Sequence, residues 1–567
     1  MSPESSLPAM HRASTDRLGP RVALRHKKDG LYHDLSWSEY RTSADRAAAG
    51  LVALGVEVGD RVAILSENRV EWPIADMGTL SAGAIDVPMH APLSMAQVRY
   101  QLEHSGAVGV FVSNLEQAAK VLESLDNLPD LRWIIRFDPL PHDGFDGIAI
   151  LSWQGLLALG ARSVEAAREA RRREAALVRD DLATIIYTSG TTGPPKGVML
   201  THGNLLSNAE AGMVIAETTA DDVLLSWLPY SHIYARTCDL VIPALSGATL
   251  CLAESIDTLT TNLAEIRPSC MSAVPRFYEK VWSGLAALPA ESRPAAMRSI
   301  FGPRVRHFSS GGAPLPKHVA VGFHEAGLTL MEGYGLTETS PIISFNTPGA
   351  CRVGSVGRAI PGVEIRIADD GEILTKGPHV MRGYWRDPDA TGSVIVDGWF
   401  HTGDLGRIDD EGFLFITGRK KDLIVTSGGK NVAPSEIERL LVSDPLIEQA
   451  VVCGDGKPYI TALIVPDFAA LAKKASEIGC AIETDGDLIV SAQLHAEFAG
   501  RIETVMREVS NPERVKAFLL LARPFRIEED EVTATLKVRR AHLLRKFADR
   551  LDALYDVGPE DRKVAIA

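Results

Sequence analysis

The run YTSGTTGPPKGVMLTH, residues 187–202, gathers hydroxyls, glycines and a cation into sixteen consecutive positions. Such a mixture suits a phosphate group: glycines let the backbone turn tightly, hydroxyls donate hydrogen bonds and a lysine supplies positive charge. Gly190 and Gly193 are the candidate turn residues, Ser189, Thr191 and Thr192 the candidate donors, and Lys196 the candidate cation. Surface turns also favour Ser, Thr, Gly and Pro, so composition alone leaves an ordinary turn open. The GxxxxGK[ST] loop of P-loop nucleotidases is not matched, because Pro195 stands where its second glycine belongs.

The elements that must hold this loop are legible around it. The apolar run LATIIYT, residues 182–188, predicts a strand ending where the loop begins. Upstream, RVAIL, AIDVPM, GVFVS and RWIIRF alternate with the helical stretches TSADRAAAGLVALG and MAQVRYQLEHSG, which predicts a layered α/β region over about residues 60–137. Residues 164–181 read as a charged, alanine-rich, solvent-facing helix leading into the next strand. After Gly418 the pattern changes. SEIE at 435–438 reads as a capping box opening a helix; strand-like QAVVC, a glycine turn at 454–456 and strand-like YITALIV follow. A large domain over 1–418 and a small α+β domain over 419–567 are expected.

Bulk properties exclude several classes. A chain of 567 residues exceeds what one core usually supports, and 46% hydrophobic with 23% charged residues is the balance of a globular enzyme. The six cysteines form no CxxC pair, which argues against a disulfide framework or a zinc site. A net charge of −14 argues against nucleic acid as partner. The start lacks a charged segment followed by an apolar one, and nowhere do about 18 uninterrupted apolar residues occur. A cytoplasmic location is expected; peripheral membrane association and oligomeric state are left open.

The 187–202 run resembles the signature loop of the adenylate-forming superfamily, which includes acyl-CoA synthetases, peptide-synthetase adenylation domains and luciferases. The resemblance continues in order through SSGGAPL (309–315), EGYGLTETS (332–340), DGWFHTGDLG (397–406) and ITGRKKDLIVTSGGKNVAPSEIE (416–438). LPYSHIYAR (228–236), VPRFYEKVW (274–282) and TATLKVRRAHLL (533–544) resemble the long-chain acyl-CoA synthetase branch. The implied fold is α/β and multidomain: a large N-terminal domain of layered α/β and β structure, and a small mobile C-terminal α+β lid, with the active site between them. The implied reaction is ATP-dependent activation of a fatty acid to its acyl-adenylate with release of pyrophosphate, then acyl transfer to coenzyme A. The implied partners are small molecules: the acid, ATP and coenzyme A, with Mg2+ as cofactor. A fatty acyl-AMP ligase serving a carrier protein, a medium-chain or aryl acid CoA ligase, and a catalytically silent lipid-binding relative are the alternatives.

The resemblance also assigns residues. Thr188, Ser189, Gly190, Thr191, Thr192, Gly193 and Lys196 would bind the phosphates of ATP, with Thr191 among the catalytic set. Gly312, Ala313, Glu332, Gly333, Tyr334 and Gly335 would form the adenine side, and Thr337 would contact the α-phosphate. Glu338 would hold the metal, Asp404 and Arg419 the ribose, and Lys537 would reach the α-phosphate during adenylation. His232 would align the acyl and thiol channels, Lys421 would serve as hinge, and Gly428 and Gly429 would let pantetheine pass. None of the cysteines falls in these motifs. Because a carboxylic acid is already ionised near neutrality, its attack on phosphorus needs charge compensation and alignment rather than a general base.

Overall fold

Strands such as Ala107–Val112 and Ile85–Met89 carry apolar residues at nearly every position and are buried on both faces, as parallel strands covered by helices must be. A computed structural model of the chain describes residues 4–139, 148–188, 194–526, 528–532 and 538–555. Its backbone divides into two compact units. The first comprises residues 1–366, 374–402 and 409–414, the second 367–373, 403–408 and 415–567.

The first unit contains two large sheets. One has eight strands in the order Gly383–Tyr384, Lys196–Thr201, Leu182–Thr188, Ile85–Met89, Arg61–Leu65, Ala107–Val112, Trp133–Arg136 and Ala149–Ser152. The strands expected from RVAIL, AIDVPM, GVFVS, RWIIRF and LATIIYT all lie in it. The other has nine strands, with Val223–Ser226, Cys270–Ala273, His307–Ser310 and Thr329–Gly335 parallel at its centre. Helices Trp37–Ala53, opened by a capping box of Ser36 and Glu39, and His202–Ile215, opened by Thr201 and Asn204, contribute to one apolar core shared by both sheets.

Two local expectations are corrected. The helix read over 164–181 ends at Ala176, and its face is not wholly solvated: Glu174 is buried, held by Arg12 at 2.7 Å and Arg41 at 2.5 Å. A polar stripe therefore served as an ion-pair seam against helix Leu7–Leu18, which has no counterpart in the sequence reading.

The second unit centres on a sheet of Ile447–Cys453, Thr461–Pro466 and Ala517–Leu520, the first two as expected from QAVVC and YITALIV. Helices Pro434–Leu441, Phe468–Glu477 and Ala492–Val505 pack their apolar faces on it. The capping box expected at 435–438 is absent. Pro434 takes the first helical position, where its fixed φ suits the helix start, and Ala433 is the N-cap without a side-chain bond. Glu438 instead accepts the Val452 N–H at 2.7 Å and pairs with Arg540 at 2.6 Å. Among the described residues no helix is long and apolar enough to cross a membrane.

Candidate active site

Leu182–Thr188 and Lys196–Thr201 form an antiparallel hairpin in which Thr188 stands opposite Lys196. Ser189, Gly190, Thr191, Thr192 and Gly193 lie outside the described residues, as does Lys537. Lys196 is half-buried, and its ammonium lies 4.7 Å from the centre of the Tyr384 ring. Tyr384 comes from the short strand Gly383–Tyr384, which pairs antiparallel with the hairpin, Tyr384 opposite Val198.

The same tyrosine reaches the candidate metal ligand. Its Oη donates to Glu338 Oε1 at 2.9 Å. Burial, then the adjoining carboxylate, pushes the phenol well above its ordinary range, so it is a donor at any working pH. The neighbouring backbone holds Glu338 as well: Met381 N–H donates to its carbonyl at 2.8 Å. Glu338 lies in the 3-10 turn Thr337–Thr339, where Thr337 and Glu338 stay half-buried while Thr339 is fully buried. Oε2 of Glu338 has no hydrogen-bond partner among the described residues. One carboxylate with an open oxygen fits Mg2+, which commonly takes one or two protein carboxylates and fills its remaining positions with substrate phosphates and water. Among the described residues no group of three or more His, Cys, Asp or Glu side chains offers an all-protein cage.

The two adenine-side segments are adjacent strands. His307–Ser310 pairs parallel with Thr329–Gly335, Ser310 opposite Glu332. Glu332 ties the following turn down by accepting the Leu315 N–H at 3.3 Å. Gly312 and Ala313 are exposed, and Tyr334 is half-buried opposite Ser344. Gly333 stands opposite Phe345 on the same antiparallel pair. Gly335 is explained by packing: a Cβ there would lie 1.7 Å from the Pro341 carbonyl oxygen. Its identity alone is therefore no mark of a nucleotide.

His232 caps the short helix Ile233–Ala235, its Nδ1 accepting the Tyr234 N–H at 3.2 Å, and it stays half-buried. Its ring centre lies 6.5 Å from that of His90, which burial holds neutral by lowering its pKa to about 4. Ser231 Oγ is 2.9 Å from His90 Nδ1, and Asn68 braces the segment by donating to Leu228 O at 2.7 Å and accepting from Tyr230 N at 3.0 Å. Arg236 is sealed between Asp76, at 2.5 Å, and Asp86. Sequence reasoning missed Tyr384, His90 and this triad; the contacts span the chain, and only the spacing of the paired segments could have signalled them.

In the second unit, Asp404 and Arg419 meet: Arg419 Nε is 2.7 Å from Asp404 Oδ1, the carboxylate buried and the guanidinium about one third exposed. Beside them Lys420 pairs with Asp370 at 2.6 Å and Glu372 at 3.0 Å, while Lys421 is exposed in the turn Lys420–Asp422. Gly428 and Gly429 form the exposed turn between Ile424–Val425 and Asn431–Val432. Gly429 has φ +75°, a left-handed conformation that accounts for glycine there without a ligand. Flanking the 533–537 segment, Glu531 is buried and bonded to Arg523 and Lys546, each at 2.7 Å, and Arg539 N–H donates to its carbonyl at 2.8 Å.

In the first unit a hairpin carrying Lys196 lies beside the braced Glu338 carboxylate; in the second a buried carboxylate pairs with a partly exposed arginine. The family model of AMP-binding enzymes matches residues 12–385, and that of the AMP-binding enzyme C-terminal domain matches residues 421–558. The chain belongs to the AMP-binding enzyme family, and its fold is that of the adenylate-forming enzymes. It is 37% identical over 573 residues to the long-chain-fatty-acid–CoA ligase FadD15 of Mycobacterium bovis, spanning 93% of each chain. ATP-bound MatB from Rhodopseudomonas palustris superposes with a TM-score of 0.74 at 26% identity, over 96% of this chain and 99% of that one. The anthranilate CoA ligase AuaEII in complex with anthranoyl-AMP superposes with a TM-score of 0.78 over 98% and 99%; at 20% identity that likeness concerns fold alone.

Proposed function

We propose that the chain is a long-chain fatty acid–CoA ligase of the AMP-forming kind. The observation that carries this reading is the match to a long-chain-fatty-acid–CoA ligase along 93% of both chains. In the first half-reaction a carboxylate oxygen of the fatty acid attacks the α-phosphorus of ATP, the bond to the bridging oxygen breaks, and pyrophosphate leaves. In the second, the thiol sulfur of coenzyme A attacks the acyl carbonyl, AMP leaves with the former acid oxygen, and the thiol proton passes to solvent or to AMP.

The residues divide this work. Lys196 and the hydroxyls of Thr188, Ser189, Thr191 and Thr192 hold the terminal phosphates, and Glu338 supplies the protein carboxylate for Mg2+, which when bound neutralises charge gathering on the phosphates. Tyr334, with Gly312, Ala313 and Glu332–Gly335, bounds the base, and Thr337 meets the α-phosphate. Asp404, acceptor-only when ionised, takes the ribose hydroxyls, with Arg419 assisting. Lys537 compensates charge during adenylation, His232 aligns the acyl carbonyl, and Lys421 and Gly428–Gly429 serve hinge and pantetheine passage. The boundary at 418/419 is the functional one. A cytoplasmic enzyme acting on acids that partition into membranes completes the proposal.

The test is thioester formation across acids from acetate to stearate, aryl acids included. Long-chain acids are expected to give the highest kcat/KM. A preference for acetate or aryl acids, or adenylate that accumulates without thioester when coenzyme A is present, would contradict the assignment.

A further inference from the structure

Tyr384 is in contact with both the candidate metal carboxylate and the candidate phosphate cation. Its hydroxyl donates to Glu338 Oε1 at 2.9 Å, and its ring face lies 4.7 Å from Lys196 Nζ. It is itself held on three sides. The residue is 8% exposed, its backbone pairs with Val198 in the hairpin that carries Lys196, and its N–H donates to Thr391 Oγ1 at 2.8 Å. The segment just before it grips the Glu338 backbone through Met381. Glu338 and Lys196 lie on separate segments, and no ion pair joins them in the structure; the tyrosine is their common neighbour.

We propose that Tyr384 is a positioning residue that acts through two separable contacts: its hydroxyl aims the Glu338 carboxylate at the metal, and its ring aims Lys196 at the phosphates. The inference rests on the assignment of Glu338 and Lys196 made above. A carboxylate is an acceptor only, and a donor fixed on Oε1 occupies that oxygen and stops rotation, so that Oε2 is presented in one direction. Partners that orient a metal's ligands in this way typically govern about 10- to 100-fold of metal affinity. The ring contact works differently. An ammonium over an aromatic face is attracted by the ring quadrupole and keeps one rotamer, without the ring taking a hydrogen bond that a phosphate would need.

Two substitutions separate the contacts. Tyr384→Phe removes the hydroxyl and keeps the ring; Tyr384→Leu removes both. Binding is read without turnover: Mn2+ titration followed by electron paramagnetic resonance in the presence of a non-hydrolysable ATP analogue, and analogue binding in EDTA followed by calorimetry. For Tyr384→Phe the Mn2+ dissociation constant is expected to rise by about 10-fold or more, with metal-free analogue binding unchanged. Tyr384→Leu is expected to weaken both. Glu338→Gln is the reference: it must weaken Mn2+ binding if the carboxylate is the ligand at all, so its failure would overturn the metal assignment itself. If Glu338→Gln weakens Mn2+ binding while Tyr384→Phe leaves it unchanged or tightens it, the positioning role is overturned and the assignment stands. Metal-free binding that falls equally in both tyrosine variants would also overturn it, since that marks general loss of packing. Tyr384→Gln, which restores a donor without the ring, is expected to recover part of the Mn2+ affinity lost in Tyr384→Leu; no recovery would count against the hydroxyl's role.

Discussion

An arginine–carboxylate triad and an arginine–carboxylate pair in this molecule are built from the same chemistry and differ in burial. Arg236 is 1% exposed, with Asp76 and Asp86 on either side, Thr184 Oγ1 accepting at 3.2 Å and the Trp72 ring 5.8 Å away. Burial pushes both carboxyls upward and the guanidinium pulls them back only in part, so both stay above their ordinary range, Asp86 at about 7. Arg419 keeps about a third of its side chain exposed while pairing with the buried Asp404. The triad ties the LPYSHIYAR segment to the helix and strand carrying the two aspartates. The pair keeps its guanidinium partly at the surface of its own unit. Enclosure, rather than the presence of an ion pair, is what differs between the two.

The comparison can be sharpened most by Arg236→Met. Removing the cation strands two buried carboxylates, and a loss of about 3–5 kcal/mol of stability is expected, read as a lowered unfolding midpoint or insoluble protein. A variant as stable as the parent would break the contrast. On the binding side, Lys537→Ala is expected to slow adenylation by about 10²–10³-fold, the usual cost of losing one charge-stabilising donor, while largely sparing thioester formation from supplied acyl-AMP. Equal loss in both half-reactions would count against a lysine used in one step only.

Asp404→Asn should behave unlike Arg236→Met. Unfolding is expected to stay close to the parent, and the half-saturating ATP concentration to rise about 10- to 100-fold, as for a lost charged hydrogen bond. Destabilisation without a change in ATP binding would place this pair with the braces.

The smallest effect concerns pH. Asp239 is buried with Ser226 Oγ donating to it at 2.8 Å, and burial raises its carboxyl to about 7. Its folded value lies above that of the unfolded chain, near 3.8. As pH rises from 4 to 7 the unfolded chain releases this proton first, so stability falls across that window and the penalty is complete above it, a few kcal/mol at most at about 1.4 per unit. Asp239→Asn is expected to flatten that slope in unfolding midpoints measured from pH 5 to 8. An unchanged slope would show that the carboxyl is solvated or paired.

The same contrast explains what the sequence could disclose. Contiguous features were readable: the β-rich runs of the first sheet form strands where the sequence predicts them, and the candidate residues Lys196, Glu338 and Asp404 are proposed from motifs a few residues long. Tyr384 stands 46 positions from Glu338, and Arg236 stands 160 from Asp76, so their roles exist only once the sheets have formed. Local rules also misled where tertiary packing took over. Ser435 and Glu438 have the spacing of a capping box, yet Pro434 starts that helix and Arg540 claims the glutamate. Glu174 sits in a run that reads as solvated, and is drawn inward by two arginines from helices distant in sequence.

The central claim is that this chain joins a carboxylic acid to the α-phosphorus of ATP. Exchange of labelled pyrophosphate into ATP, measured on folded protein with Mg2+ and a long-chain acid before any coenzyme A is added, tests it most directly. Acid-dependent exchange is expected, collapsing in Glu338→Gln. Folded protein that exchanges no label with any acid offered would contradict it.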